Sequence, residues 1–591
     1  MKEFFKYVFA TVVGIVLSSI FLAFLFFIIM AGFIASLGDD KLVEVKTNSV
    51  LYLDLDQAIT ERTPDRSLSG IPIIGSGEGR TIGFYDVIKA LKKAKDDDKI
   101  EAVFINVSSP QAGMATMLEV RNAIIDFKTS KKPIIAYSEI YSQGAYYLAS
   151  AADKVYLNPE GALEFKGFSS ELTFFKGALD KLGIEAQIIR VGNYKSAVEP
   201  FINTKMSDYN RKQVTAYVSG LYRTFLNGIA QTRHLSADSL YNWANDYKIQ
   251  FPQDALDRKM VDGLKYKDQV LDELKSITGK DKKDNVNTVT INDYIANLPK
   301  SSSGTGQEKV AVIYANGEIV GGEGSDEQIG SERISRAIRK ARLDDHVKAI
   351  VLRVNSGGGS ALASDVIWRE IVLSRKAKKP VIASFGDVAA SGGYYIACAA
   401  DSIFVQPNTI TGSIGVFGII PNFQNLLNNK LGITFDGVKT GKYADIMSVN
   451  RPLTAGERFI IQNDVNHVYD SFITRVADGR QKTKAQIDSI GGGHVWIGTD
   501  AIKIGLADRI GSFTDAIKAA AKKAKIKEYK IVEYPEQISP LKNLLSDASE
   551  NIRTNYTKKE LGEHYLLYKQ MQKAATLSGI QARMDYEIRI R

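Results

Sequence analysis

Two rhythms of apolar and polar residues take turns along this chain. Short, β-prone apolar runs such as Ala102–Val107, Pro133–Ala136 and Ala349–Val354 read as strands buried on both faces. Between them lie stretches with apolar residues at helical spacing: Tyr85–Lys95, Thr116–Phe127 and most of Asp208–Ile249. Strands alternating with helices predict an α/β fold whose sheets are mainly parallel, with crossover helices. A first strand region, Leu42–Ile59, leads into the Gly-, Pro- and Ser-rich stretch Glu61–Arg80, which reads as a loop. The N-terminus departs from both rhythms. After Lys2, Glu3 and Lys6, the run Tyr7–Gly38 carries no charge. That exceeds the ~20 apolar residues of a spanning helix and the ~7–15-residue core of a cleaved signal peptide. Ala31 and Ala35 offer only a poor cleavage pattern. The expectation is an uncleaved single-pass anchor, with Lys2 and Lys6 on the cytoplasmic side and the bulk of the chain outside.

The pattern also repeats. Residues 145–159, AYYLASAADKVYLNP, match residues 393–407, GYYIACAADSIFVQP, at 7 of 15 positions, an offset of 393 − 145 = 248. The same offset aligns VFINVSSPQA (103–112) with VLRVNSGGGS (351–360), and FPQDALDRKMVDGL (251–264) resembles WIGTDAIKIGLADRI (496–510). The chain therefore reads as duplicated. The expected divisions are a stub and anchor (1–40), a first repeat (41–278), a linker carrying KDKKD and SSSGTG (279–308), a second repeat (309–530) and a C-terminal extension (531–591).

Composition narrows the function. At 591 residues, with 45% hydrophobic and 24% charged residues, the chain is globular and multidomain rather than disordered. The net charge of +9 comes from 76 Lys+Arg diluted among 67 Asp+Glu, not from a cluster, so no nucleic-acid partner is expected. The basic segment Ala516–Glu528 reads as a solvated helix face, with an anionic membrane surface as the alternative. The single Cys398 rules out an intrachain disulfide and reads as core packing. The five histidines are scattered, and no Cys/His cluster has metal-ligand spacing.

Candidate chemistry centres on Val381–Pro407. Val381–Ser384 reads as a strand broken by Gly386-Asp387, followed by Ser391, Gly392-Gly393 and an Ala-rich helix. A serine there is ordinarily an N-cap. The glycines, however, open a path for a second backbone, and the first helical amides face any developing negative charge. Ser391 lacks the G-x-S-x-G context, and no histidine lies near a matching motif. A lysine held neutral is the other possible base. VGNYKSAVEPF (191–201) supplies Lys195, whose counterpart in GKYADIMS (441–448) is Ala444, while the counterpart of Ser391 is Gln143. The losses are complementary, which suggests one composite site built from both halves. Drift and a surface lysine would give the same pattern. Acting near neutrality requires lowering the amine's pKa by roughly 3 units, about 4 kcal/mol. Ser413, in Thr411-Gly412-Ser413, is a candidate to orient the amine, or a plain turn serine. Asn355–Gly359 puts three glycines after a strand, suited to an oxyanion, a phosphate or a flexible turn. No P-loop lysine follows.

Taken together, VNSGGGSALASDVIWREI, SFGDVAASGGYYIACAAD, TITGSIGVFG and VGNYKSAVEPF resemble the signal peptide peptidase A (protease IV) family in its long, duplicated, anchored form. The resemblance implies two tandem ClpP/crotonase-like repeats and a Ser–Lys dyad that hydrolyses peptide bonds without cofactor, metal or nucleotide. Ser391 matches the nucleophile, Lys195 the base and Ser413 the lysine-orienting serine. Gly358 or Gly359 with Gly392 matches the oxyanion hole. Gly357 stands where the family commonly has proline, which loosens that loop. The implied substrates are remnant signal peptides and other apolar, unfolded peptides. The implied assembly is a tetramer on the outer face of the inner membrane. A CoA-thioester hydratase or isomerase, and a non-catalytic membrane scaffold, are the competing readings.

Overall fold

The apolar runs pair side by side as parallel strands, because each is flanked by a helix long enough to carry the chain back across the sheet. The computed structural model describes residues 2–37, 43–64, 81–281, 283–297, 306–538 and 579–584. In the first repeat, β1 (Ser49–Asp54), β2 (Ile100–Asn106), β3 (Ile134–Tyr141), β4 (Lys154–Leu163), β6 (Gly263–Leu264) and β7 (Asn287–Thr290) form one sheet in the order β6–β4–β3–β2–β1–β7. Every pairing in it is parallel.

The second repeat rebuilds the same design. Strands β8 (Lys309–Asn316), β11 (Val347–Ser356), β13 (Val381–Ala390), β14 (Ile410–Gly412), β16 (Val495–Ile497) and β17 (Lys530–Tyr534) run in the order β16–β14–β13–β11–β8–β17. Here only β14 and β16 pair antiparallel. The 26-residue helix α3 (Asp208–Arg233) recurs as Ala455–Arg480, an offset of 455 − 208 = 247.

A third sheet joins the halves. Its order is β10–β9–β12–β18–β15–β5, built from β5 (Glu185–Arg190) of the first repeat with β9 (Glu318–Val320), β10 (Gln328–Gly330), β12 (Gly358–Ser360), β15 (Phe417–Asn422) and β18 (Gln581–Arg583). β5 and β15 run antiparallel, from Arg190 opposite Phe417 to Glu185 opposite Asn422.

Three expectations need correction. The stretch 279–308 is not all linker: Asn287–Thr290 is a strand beside β1, and Ile291–Ala296 a helix whose Ile291 and Tyr294 are buried. β7 and β17 are equivalent edge strands, so each repeat extends past its expected end and the C-terminal extension begins later than residue 531. β13 is not broken at Gly386-Asp387 but runs on to Ala390, with a register irregularity between Val354 and Ser356 of its partner. Residues 65–80 of the expected loop, 282 and 298–305 of the expected linker, and 539–578 of the extension lie outside the described residues.

The halves share a dry polar contact. Arg353 on β11 is 1% exposed and pairs with Glu61 at 2.8 Å and with Glu119 of α2 (Met114–Phe127) at 3.0 Å. Burial pushes the Glu119 carboxyl up, against the pull of Arg353 and of the Phe513 amide that donates to it. Asp387 accepts hydrogen bonds from the Ala115 and Thr116 amides at 2.7 and 3.0 Å, so a carboxylate of the second repeat caps a helix of the first. Around this cluster the core is continuous: Phe513 of α5 (Phe513–Lys523) packs on Phe84 and Tyr85, with ring centroids 5.8 and 4.9 Å apart. The lysines of α5 stay exposed, as a solvated face requires. Cys398 packs in the second core, and burial pushes its thiol up to about 12.

The N-terminal helix α1 (Lys2–Leu37) contains, in Glu3–Leu25, a segment long and apolar enough to cross a membrane, with none of it buried against the rest. At 1.5 Å per residue its 36 residues span about 54 Å.

Removing Arg353 strands two buried carboxylates. Arg353→Ala is expected to destabilise the chain by about 3–5 kcal/mol, read as a lower unfolding midpoint in detergent. The exposed Arg336→Ala is the control and should shift it little.

Candidate active site

Ser391 stands where β13 ends and α4 (Gly392–Ala397) begins, and its backbone is not that of a capping serine. Its φ of 54° and ψ of −116° lie in a region normally left to glycine, and its side chain makes no capping bond to the helix. Its amide donates to Gly412 O at 2.8 Å and its carbonyl accepts from Tyr395 N at 2.8 Å, so the strained residue is held from both sides. The hydroxyl is thereby free to face Lys195. The first repeat, by contrast, starts its equivalent helix with Ser142, an ordinary cap bonded to Ala145 N at 3.2 Å. There the Gln143 side chain ties down the backbone of Lys166 and Gly167.

Lys195 arrives from the first repeat, five residues beyond β5. Its Nζ donates to Ser391 Oγ at 2.9 Å, to Ser413 Oγ at 3.0 Å and to Ser413 O at 3.2 Å. All three residues are 0% exposed. Ser413 also has a positive φ, 48°, and its amide donates to His494 O at 2.7 Å. Ser391 Oγ lies 3.4 Å from Gly415 O. The three residues predicted from sequence therefore meet at one point. Proton exchange between amine and hydroxyl is geometrically direct at these distances.

The glycine positions separate. Gly358 has a φ of 96°, and a Cβ on it would sit 2.6 Å from Gly392 N, so these two face one another beside Ser391. The Gly358 amide donates to Ser356 Oγ at 3.0 Å, and that hydroxyl donates to Gly317 O at 2.6 Å. Gly359 lies on β12, where a side chain would strike Ile319 O.

Several residues that position Lys195 are invisible to motif reading. Gln213 on α3 donates to Tyr194 O and to Ser196 Oγ, at 3.2 and 2.7 Å, and accepts from Val495 N of the second repeat at 3.1 Å. Asn210 accepts from Ser196 Oγ at 3.0 Å and donates to Glu199 at 3.0 Å. Opposite them, the run Gly491–Gly493 lets backbone meet backbone: Tyr194 N donates to Gly492 O at 3.1 Å, and a Cβ on Gly493 would lie 2.5 Å from Lys195 N. That triple glycine was the available signal, a loop with no side chains opposite the lysine. His494 follows it, with its ring against Tyr194 and Trp496. Burial, and then the charge of Lys212, lower its pKa to about 4.

Comparison with known proteins gives a consistent result. The profile of Peptidase family S49 matches twice, over residues 126–280 and 374–527. "Protease 4" of Salmonella typhi is 36% identical over 90% of this chain and 88% of that protein. "Protease 4" of Haemophilus influenzae is 34% identical over 92% and 91%. "Serine protease SPPA, chloroplastic" of Arabidopsis thaliana is 30% identical over 92% and 78%. Among solved structures, a point mutant of ClpP1 from Listeria monocytogenes matches 35% of this chain and 94% of its own at 17% identity. Its TM-score of 0.24 is too low to add to the topology above.

Gly493→Ala should push the lysine loop off its seat. Peptide turnover is expected to fall about 100-fold, while Gly437→Ala, with nothing within 4 Å, leaves it unchanged. A second expectation concerns acid. Because folding lowers the His494 pKa, the folded state binds fewer protons than the unfolded state between about pH 4 and 6.5. The ring's contribution to stability is full above 6.5 and is lost as pH falls toward 4. His494→Phe should therefore flatten that part of the melting-temperature profile.

Proposed function

The chain belongs to peptidase family S49 and is a serine protease; from that premise we propose that Ser391 and Lys195 are its catalytic dyad. The reading rests on one observation: the 2.9 Å contact between the amine of one repeat and the hydroxyl of the other, sealed from water. Lys195 and Ser391 are both fully buried, and the amine lies within direct proton-transfer reach of the hydroxyl. In the mechanism, Lys195 takes the Ser391 proton as Oγ attacks the peptide carbonyl. The tetrahedral oxyanion is held by the Gly392 amide together with an amide of β12, Gly358 or Gly359. Lys195 then protonates the departing amine, and water resolves the acyl-enzyme. Ser413 keeps the amine aimed at Ser391 throughout. The thioester-enzyme and scaffold alternatives fall with the family assignment.

The substrates are apolar, unfolded peptides, remnant signal peptides foremost. The exposed apolar helix α1 anchors the enzyme beside them. Lys2 and Lys6 place the stub in the cytoplasm and the catalytic repeats on the extracytoplasmic side of the inner membrane. Assembly into a homo-oligomer, a tetramer by resemblance, is supported by the exposed apolar side chains of Leu431, Ile433, Phe435 and Val438 after β15.

Ser391→Ala and Lys195→Ala are each expected to lower hydrolysis of a signal-peptide substrate by about 10³-fold or more without unfolding the chain. Ser413→Ala should give an intermediate loss, on the order of 10². Near-full activity in Lys195→Ala would end the dyad proposal.

A further inference from the structure

Duplication left an internal control for the loop that seats Lys195. Tyr222 on α3 and Tyr469 on the helix Ala455–Arg480 are equivalent, at an offset of 469 − 222 = 247. At the same offset Asp488 falls on Tyr241 and Gly492 on Asn245. In the first repeat the helix Ala237–Asn245 runs straight through the positions equivalent to Gly491 and Gly492. The Tyr222 ring there lies 6.3 Å from that of Tyr241, and its buried hydroxyl has no hydrogen-bond partner among the described residues.

The second repeat puts the same tyrosine to use. Its helix Lys484–Ile490 stops before the glycines. The Tyr469 hydroxyl donates to Asp488 Oδ1 at 2.6 Å and accepts from Gly492 N at 3.1 Å. The Gly492 carbonyl in turn accepts from Tyr194 N, the residue before Lys195. The same run reaches the other arm of the site: Gly493 N donates to Ile414 O at 2.8 Å, and His494 O accepts from Ser413 N at 2.7 Å. One loop therefore bonds the backbone beside Lys195 and the backbone of Ser413, which bonds the amine. Three glycines give that loop little stiffness of its own, so its place is set by what grips it. Tyr469 is 7% exposed and sits in the second core. Burial, and then the hydrogen bond to Asp488, push its hydroxyl pKa up, so it remains a donor. Asp488 is exposed, and with Tyr469 it borders a surface cavity of about 370 Å³.

We propose that Tyr469, held by Asp488, is a positioning residue for peptide hydrolysis: through the Gly492 amide it fixes the loop that seats Lys195 and Ser413. The proposal rests on the dyad reading for what the loop positions. Tyr222 is the copy of the same residue in the repeat that has no lysine to seat.

The test is steady-state hydrolysis of an apolar peptide by the detergent-purified full chain. Tyr469→Phe removes the hydroxyl and keeps the ring; it should lower kcat about tenfold or more and leave KM within about twofold. Asp488→Ala should act in the same way, from an exposed position that leaves the core intact and so covers the case in which Tyr469→Phe misfolds. Asp488→Asn retains an oxygen acceptor and should restore most of kcat. The double variant Tyr469→Phe with Asp488→Ala should be no slower than Tyr469→Phe alone, because both changes break one chain of bonds. Two controls separate positioning from plain destabilisation. Tyr294→Phe deletes a hydroxyl that donates to Asp97 at 2.8 Å, and Tyr222→Phe deletes the unbonded copy; each should leave kcat unchanged, whatever it does to the melting temperature. Full kcat in Tyr469→Phe, equal losses in Asp488→Asn and Asp488→Ala, or an equal loss in Tyr294→Phe overturns the proposal. Failure of the dyad reading would show separately, as near-full activity in Lys195→Ala.

Discussion

The ladder between β5 and β15 is the interaction on which the remaining structure depends. It is a strand pairing between two repeats, and it sets the height at which the chain leaves β5 and turns toward Ser391. Lys195 follows Arg190 by five residues, and Arg190 stands opposite Phe417 at the end of the ladder. A slip of one residue would turn every side chain of β5 to the other face and swing the lysine loop out of reach. The buried contacts of Arg353 and Asp387, on the neighbouring sheet, fix the same docking from a second direction. Neither repeat could hold this register alone, and the continuous core beneath them is what makes the pairing permanent.

Precision at the centre is obtained at a local cost. Ser391 and Ser413 both have positive φ, each a strain of order 1–3 kcal/mol. Lys195, Glu199, Asn210 and Gln213 are all fully buried polar residues, and each must be matched by partners to be tolerated. Glu199 and Asn210 are matched within the first repeat, while Gln213 reaches across to Val495 as it holds Tyr194 and Ser196. Such a network is rigid because a partial version of it is worse than none.

The alternation of strands and helices, the duplication, and the convergence of Ser391 with Lys195 were legible because each rests on local spacing or on internal repetition; for Ser413 the sequence left a plain turn serine equally open. What escaped was whatever depends on a distant partner. Asp387 reads as a strand breaker, yet it is a helix cap for the other repeat, and nothing near it in sequence says so. Asn210 and Gln213 stand in no motif, because helical spacing cannot tell solvent from a neighbouring loop. β7 and β17 are short edge strands whose identity comes from β1 and β8 beside them. Gln581–Arg583 has too few residues for any period to appear.

The separation of Lys195 from Ser391 by 196 positions has a consequence in time. A ribosome adding about 5–20 residues each second needs roughly 10–40 s to go from one to the other, and the glycine run opposite the lysine comes later still. Throughout that interval the emerging polypeptide holds the lysine without the serine it hydrogen-bonds. The buried contact between the two is thus among the last to form, and a translation product arrested before Ser391 lacks it altogether.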